Sequence, residues 1–129
     1  MSAQLTSAVD PILNTDLLAQ YRQRKSGLLA RLIEAFLMEC PAQFQSVRQA
    51  VESKDYNLVR MGAHTLKSGS HNLGATRLSA VCQEMENAAI DQDGDAVERI
   101  FGKLGPEFFE AEQALRGELA REQGLIAAS

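Results

Sequence analysis

The sequence predicts an all-α protein, an antiparallel up-and-down four-helix bundle with a short additional N-terminal helix. Three observations lead to this prediction. Apolar residues recur at helical spacing in several long segments, short runs of turn-forming residues separate these segments, and no segment shows the alternation typical of a strand. Amphipathic helices joined by short turns bury their apolar faces against antiparallel neighbours.

The first predicted helix is short. Residues 1–9 have little pattern and are expected to be loose. Asn14 or Thr15 can cap a helix after Asp10-Pro11, because their side chains accept a hydrogen bond from a backbone N–H of the first turn. Ser26-Gly27 then interrupts it.

The second predicted helix starts at Leu28 and keeps its helical phase for about six turns. Its apolar residues are Leu29, Leu32, Ile33, Phe36, Cys40, Phe44, Val47 and Val51. Because the phase continues past Pro41, we expect this proline to kink the helix without ending it.

The third predicted helix begins after Asp55, a good N-cap, and ends at Asn72-Leu73-Gly74. Its two faces differ. One is polar and basic, with Asn57, Arg60, His64, Lys67, Ser68 and His71; the other carries Leu58, Val59, Gly62, Leu66, Gly69 and Leu73. A helical glycine costs up to about 1 kcal/mol relative to alanine, so two glycines facing inward predict an unusually close neighbouring helix.

Two further helices complete the predicted bundle. The fourth starts near Ala75 and buries Leu78, Val81, Cys82, Met85 and Ala89, and a turn follows over Asp91–Asp95. The last helix buries Val97, Ile100, Phe101, Leu104, Phe108, Ala111, Leu115 and Leu119. Its phase continues through Gly105-Pro106, which predicts one bent helix. We expect it to end at Gly124, with 125–129 frayed.

Length and composition indicate a single domain over 1–129, with a core of about 16–122 and loose ends at 1–9 and 124–129. The net charge of −4 and pI near 5.2 argue against general binding to nucleic acid or anionic membranes. There is no signal-peptide pattern and no run of about 18 apolar residues. We therefore expect a soluble, cytoplasmic monomer, and Met1 with its loose neighbours favours an independent protein.

Charge is distributed unevenly along the chain. Residues 54–83 sum to +3, whereas 84–129 sum to −7, so the basic segment is the one around His64. The acidic side chains of 84–122 are most simply solubilising. Cys40 and Cys82 belong to no metal-binding spacing and are expected to be buried, reduced thiols.

His64 is the candidate reactive residue. An exposed imidazole can attack phosphorus and form a phosphoramidate. Lys67 and Arg60 lie one turn away on either side and could neutralise the negative charge of a phosphoryl group during its transfer. The role also requires that no neighbouring acid promotes hydrolysis. Since H-x-x-K is a weak pattern and surface histidines are common, helix geometry alone leaves an ordinary solvated histidine open.

A longer motif surrounds His64. The run Ala63-His64-Thr65-Leu66-Lys67, followed by Ser70, Leu73-Gly74-Ala75, Leu78, Cys82 and Glu86, resembles the histidine-containing phosphotransfer (HPt) domain of multistep two-component phosphorelays. The motif covers 63–86, and the similar helix layout extends from about Asp16 to Leu119. The resemblance implies that His64 accepts phosphate through Nε2 and that Lys67 screens the phosphoryl oxygens.

The resemblance also places Glu86 where the family often has a Gln or Glu that hydrogen-bonds near the imidazole, although a plain surface carboxylate is an open alternative. One position departs from the family. Gly usually follows the Lys directly, whereas here Ser68 does and Gly69 comes next. The Ser68 hydroxyl is expected either to bind a phosphoryl oxygen or to restrict which partners approach.

The neighbours of His64 are candidates for partner contact. His71 lies two turns away, about 10 Å by helical rise and too far to share a metal ion, so we place it at the rim of the partner surface. Asn57 and Met61 are assigned to the same surface. The Met61 and Leu58 edge is expected to be part core and part contact, with Met61 more exposed.

The sequence contains no phosphate-binding loop or kinase signature, so it should not phosphorylate itself from ATP. The resemblance implies a phosphoryl carrier between receiver domains of hybrid sensor kinases and response regulators. It needs no cofactor or metal of its own, because Mg²⁺ would belong to the receiver. The alternative is a non-catalytic adaptor that binds receivers. A metal-binding bundle would need inward Glu-x-x-His pairs, which are missing.

Overall fold

The computed structural model describes residues 11–128 of the chain. It contains α1 (Thr15–Arg24), α2 (Leu28–Glu52), α3 (Tyr56–Asn72), α4 (Thr76–Ile90) and α5 (Gly94–Ala128), and no strand occurs in this range. From α2 to α5 each helix packs against the next, and α5 packs back against α2. This arrangement confirms the predicted fold class. Within residues 11–128, no helix combines the length and apolarity needed to span a bilayer.

The helix ends follow from local chemistry. The side chain of Asn14 accepts a hydrogen bond from the backbone N–H of Leu17, and Asp55 accepts one from Leu58. Both predicted N-caps are therefore confirmed. Gly74 has a φ of +69°, the left-handed conformation in which glycine ends a helix without a Cβ penalty.

Both long helices run through their prolines, Pro41 in α2 and Pro106 in α5, as expected. The prediction that the last helix ends at Gly124 is wrong, because α5 continues to Ala128. Glycine costs a helix only about 1 kcal/mol relative to alanine. The contact of Glu122, two residues before Gly124, with α1 holds this part of the helix in place. The predicted loose segment 1–9 and Ser129 lie outside the described residues.

The core forms where the apolar stripes meet. Val47, Leu66, Met85 and Leu104, one from each bundle helix, are fully buried. The rings of Phe44 and Phe108 stack at a centroid distance of 4.7 Å.

Both cysteines are buried and form no disulfide, as predicted. Burial is the main cause that raises the pKa of each thiol, Cys40 and Cys82, to about 12.

Two glycines seat α3 closely on α2. A Cβ built on Gly62 would lie 2.9 Å from Cγ2 of Val47, and one on Gly69 would lie 3.3 Å from the ring of Phe36. The close neighbour predicted from these glycines is therefore α2. Since this side of α3 faces α2, the opposite side faces outward and carries His64.

Helix α1 lies across the end of the bundle at which α3 stops. The Tyr21 hydroxyl donates to the Asn72 carbonyl at 2.7 Å, and the Asn14 N–H donates to the Gly74 carbonyl at 2.7 Å. Arg22 binds Glu122 of α5 at 2.5 Å. These contacts tie α1 to both α3 and α5.

The acidic residues of the second half are more than solubilising, so that prediction is wrong in part. Glu107 and Glu110 each lie 3.1 Å from the guanidinium of Arg77, and Glu84 lies 2.7 Å from Lys103. These ion pairs connect α4 with α5. Many of the negative charges that the sequence analysis assigned to solvent therefore link helices.

Candidate functional site

His64 stands on the outward face of α3, and 57 % of its side chain is exposed. The neighbouring positions Ala63 and Leu66 point into the core and are buried. Helical periodicity thus separates the imidazole from the apolar stripe, as the sequence predicted.

Glu86 of α4 meets His64 across the α3–α4 contact. Its Oε2 atom lies 3.1 Å from Nδ1 of His64, and its Oε1 atom accepts a hydrogen bond from Nζ of Lys67 at 2.9 Å. Only 13 % of the Glu86 side chain is exposed. The alternative of a plain surface carboxylate is therefore wrong.

These contacts keep the Glu86 carboxyl ionised. The hydrogen bond from Lys67 is the largest cause that lowers its pKa; the bond to His64 and the charges of both neighbours act in the same direction, against partial burial. An ionised carboxylate can only accept hydrogen bonds. The proton of the neutral imidazole is therefore assigned to Nδ1, which leaves the lone pair of Nε2 unprotonated.

The phosphate-accepting role was expected to require that no neighbouring acid promotes hydrolysis, and one acid does lie beside the ring. Glu86 is such an acid, but it contacts Nδ1, and its other oxygen binds Lys67. One oxygen of the carboxylate is thus bound to Nδ1 and the other to Lys67. In this position the carboxylate orients the imidazole.

Lys67 has a second partner that the sequence analysis missed. Its Nζ atom donates to Oε1 of Gln83 at 2.8 Å, and Nε2 of Gln83 donates to Asn87 at 3.0 Å. The Lys67 side chain is 23 % exposed. The available signal was spacing, because Gln83 precedes Glu86 by three residues and so shares its face of α4.

The Ser68 hydroxyl is turned toward the backbone of its own helix. It donates to the carbonyl oxygen of His64 at 3.2 Å, a common bond for a helical serine. To bind a phosphoryl oxygen as a donor, it would have to leave this bond.

Arg60 is not brought to the imidazole. Its guanidinium donates to Oδ1 of Asn57 at 3.0 Å, and Nδ2 of Asn57 lies 3.8 Å from the sulfur of Met61. Arg60 thus contributes to the N-terminal part of the α3 surface.

Leu58 was expected on the inward face, with Met61 the more exposed of the pair. Both expectations are wrong, since each residue is 49 % exposed. They line an open depression of about 440 Å³ between α2 and α3. The buried face of α3 is therefore narrower in the first turn, where Leu58 borders the depression.

His71 is exposed, one turn beyond Lys67. It lines an open depression of about 490 Å³ together with Lys67, Ser68, Asn72 and Gln83. Within residues 11–128, no group of three or more His, Cys, Asp or Glu side chains is placed to hold a metal ion.

Comparison with known proteins gives a consistent result. The Hpt domain family matches residues 31–124. A comparison with curated protein sequences finds no significant match.

Three solved structures share the fold. Histidine-containing phosphotransfer protein B of Pseudomonas aeruginosa has a TM-score of 0.81 at 24% identity, covering 87% of this chain and 97% of its own. A rice protein described as a histidine-containing phosphotransfer protein has a TM-score of 0.77 at 16% identity, covering 95% and 91%. The HPT domain of a Shewanella sensor hybrid histidine kinase has a TM-score of 0.74 at 24% identity, covering 85% and 95%.

Proposed function

The chain belongs to the Hpt domain family, the histidine phosphotransfer intermediates of phosphorelays, and we propose that His64 is the residue on which it carries the phosphoryl group. The observation that carries this proposal is the exposed imidazole whose Nδ1 atom is held by Glu86. A ring fixed in this way presents an unprotonated Nε2 to solvent, as a nucleophile requires.

The transfer follows from this geometry. The Nε2 lone pair attacks the phosphorus of an aspartyl phosphate on a receiver domain, and the P–O bond to the aspartate breaks with its electron pair passing to that carboxylate. The Nδ1 proton stays in the hydrogen bond to Glu86. Transfer to the next receiver reverses these steps, so N–P cleavage releases a neutral imidazole.

Lys67 supplies positive charge for this step. Phosphoryl transfer spreads negative charge over three oxygens, and a nearby ammonium lowers its energy. Lys67 lies on the same face of α3, one turn from His64, and the depression beside it leaves room for an incoming group.

The protein acts as a carrier without ATP-dependent kinase activity. The Mg²⁺ that assists transfer is expected on the receiver, because the carboxylate that contacts His64, that of Glu86, is already paired with Lys67. Around His64, we assign Asn57, Leu58 and Met61 to one side of the receiver contact and His71 to the other. We expect the carrier to be a cytoplasmic monomer.

The test uses the two histidines of the chain. On incubation with a phosphorylated receiver domain, the wild type should take up acid-labile, alkali-stable phosphate. His64→Gln should abolish this label, whereas His71→Gln, which removes the other imidazole at the edge of the receiver contact, should still become labelled, although more slowly. Label that persists in His64→Gln would refute the assignment. If the wild type and His64→Gln both bind the receiver by calorimetry but neither is ever labelled, the protein is an adaptor.

A further inference from the structure

Lys67 is held on two sides before any phosphate arrives. Its ammonium has three N–H donors, and it donates to Gln83 at 2.8 Å and to Glu86 at 2.9 Å. Both acceptors lie on α4, three residues apart, so the lysine spans the gap between α3 and α4.

The orientation of the Gln83 amide is fixed by its partners. An ammonium only donates, so the oxygen of the amide has to face Lys67. The NH₂ group then faces Oδ1 of Asn87, which accepts its hydrogen bond at 3.0 Å. A continuous chain of hydrogen bonds therefore runs along α4 from Asn87 through Gln83, Lys67 and Glu86 to His64.

We infer that Gln83 is a positioning residue for phosphoryl transfer, which acts by holding the Lys67 ammonium beside the phosphoryl group carried on His64. A free lysine side chain occupies many rotamers, and two fixed acceptors restrict it to one arrangement before the reaction begins. The remaining N–H donor of Lys67 is then organised in advance for a phosphoryl oxygen. This inference rests on the function proposed for His64.

Without Gln83, Glu86 would be the remaining partner of the ammonium among residues 11–128. Lys67 would then form one ion pair, with Glu86, and its side chain could alternate between this carboxylate and solvent. Losing a hydrogen bond to a charged group costs about 1.5 kcal/mol or more, close to a tenfold change in rate if the bond is fully expressed in the transition state.

The experiment measures single-turnover transfer from a phosphorylated receiver at increasing receiver concentration. Gln83→Met keeps the length of the side chain and removes the acceptor. We expect its maximal rate to fall about three- to tenfold, with a half-saturating concentration that changes less than about twofold. The control Gln113→Met, at an exposed glutamine of α5, should transfer at the wild-type rate.

A double-variant cycle identifies the route of the effect. If Gln83 acts through Lys67, then Gln83→Met should cause no further loss in a Lys67→Met background. An equal loss in both backgrounds would show that Gln83 contacts the partner directly and would overturn the inference. A wild-type rate in Gln83→Met, or a change only in half-saturation, would overturn it too.

A second measurement needs no phosphate. The ¹⁵N signal of the Lys67 ammonium should be sharp in the wild type and broadened in Gln83→Met, because the freed group exchanges faster with water. If the wild type took up no label at all, the proposed function would fail, and this signal would still decide whether Gln83 positions Lys67.

Discussion

Oε2 of Glu86 lies 3.1 Å from Nδ1 of His64, so a side chain of α4 favours one tautomer of a ring on α3. We expect the neutral imidazole of the wild type to carry its proton on Nδ1, and we expect Glu86→Ala to shift the ring toward the Nε2–H form. Long-range ¹H–¹⁵N spectra of the histidine ring measure the two tautomers. Glu84→Ala, on the same helix but paired with Lys103, is the control and should leave the spectrum unchanged.

Glu86 also makes stability depend on pH. Its pKa is lowered below 4.5 in the folded protein, chiefly by Lys67, so the folded state favours the ionised form. The stabilisation is present above the unfolded pKa and is lost as the pH falls through the folded pKa. Urea unfolding at pH 7 should show the wild type more stable than Glu86→Gln by about 1 kcal/mol or less, given the strength of such pairs. This difference should shrink toward pH 3; a difference independent of pH would contradict the assignment.

Gly62 should resist replacement although it lies inside a helix. Alanine there would gain up to about 1 kcal/mol in helix propensity, but its Cβ would lie 2.9 Å from the side chain of Val47. We expect Gly62→Ala to lower the free energy of unfolding by about 1–3 kcal/mol, the range for overpacked cores. Gly102→Ala is the matched control, because nothing lies within 4 Å of its Cβ, and it should stabilise the protein. A smaller loss from Gly62→Ala in a Val47→Ala background than in the wild type would identify the clash as the cause.

Arg22 should stabilise the protein by neutralising carboxylates at the α1–α5 contact. Glu122 is almost fully buried and binds Arg22 at 2.5 Å, so Arg22→Ala would leave a buried charge without this partner. We expect a loss of about 1–3 kcal/mol in chemical denaturation. Arg116→Ala breaks a more exposed pair with Glu112 within α5 and should cost less than about 1 kcal/mol. Equal losses in the two variants would argue against a special role of the α1 contact.

Patterns within a single helix were predictable from the sequence. The position of His64 on a polar face and the inward glycines Gly62 and Gly69 follow from helical periodicity, and the structure confirms them. The contact of Glu86 with His64 joins residues far apart along the chain, and it was predicted from the resemblance to the family.

Details that depend on packing between helices were harder to predict from the sequence. The spacing of Gln83 from Glu86 places both on one face of α4, but the contact of Gln83 with Lys67, 16 positions earlier, depends on how α4 is rotated against α3. The exposure of Leu58 depends on where α2 stops covering α3. The burial of Glu118 and Glu122 requires α1 to be in place, which periodicity along α5 alone does not reveal.

The sulfur of Cys82 lies in the core, near enough to the charges of Lys67 and Glu86 for both to influence its ionisation. With a pKa of about 12, this thiol is almost entirely protonated at neutral pH, whereas the thiolate is the form that attacks peroxides and disulfides. We therefore expect Cys82 to stay reduced where an exposed cysteine would be oxidised, although its sulfur is close enough to Lys67 and Glu86 to feel their charges.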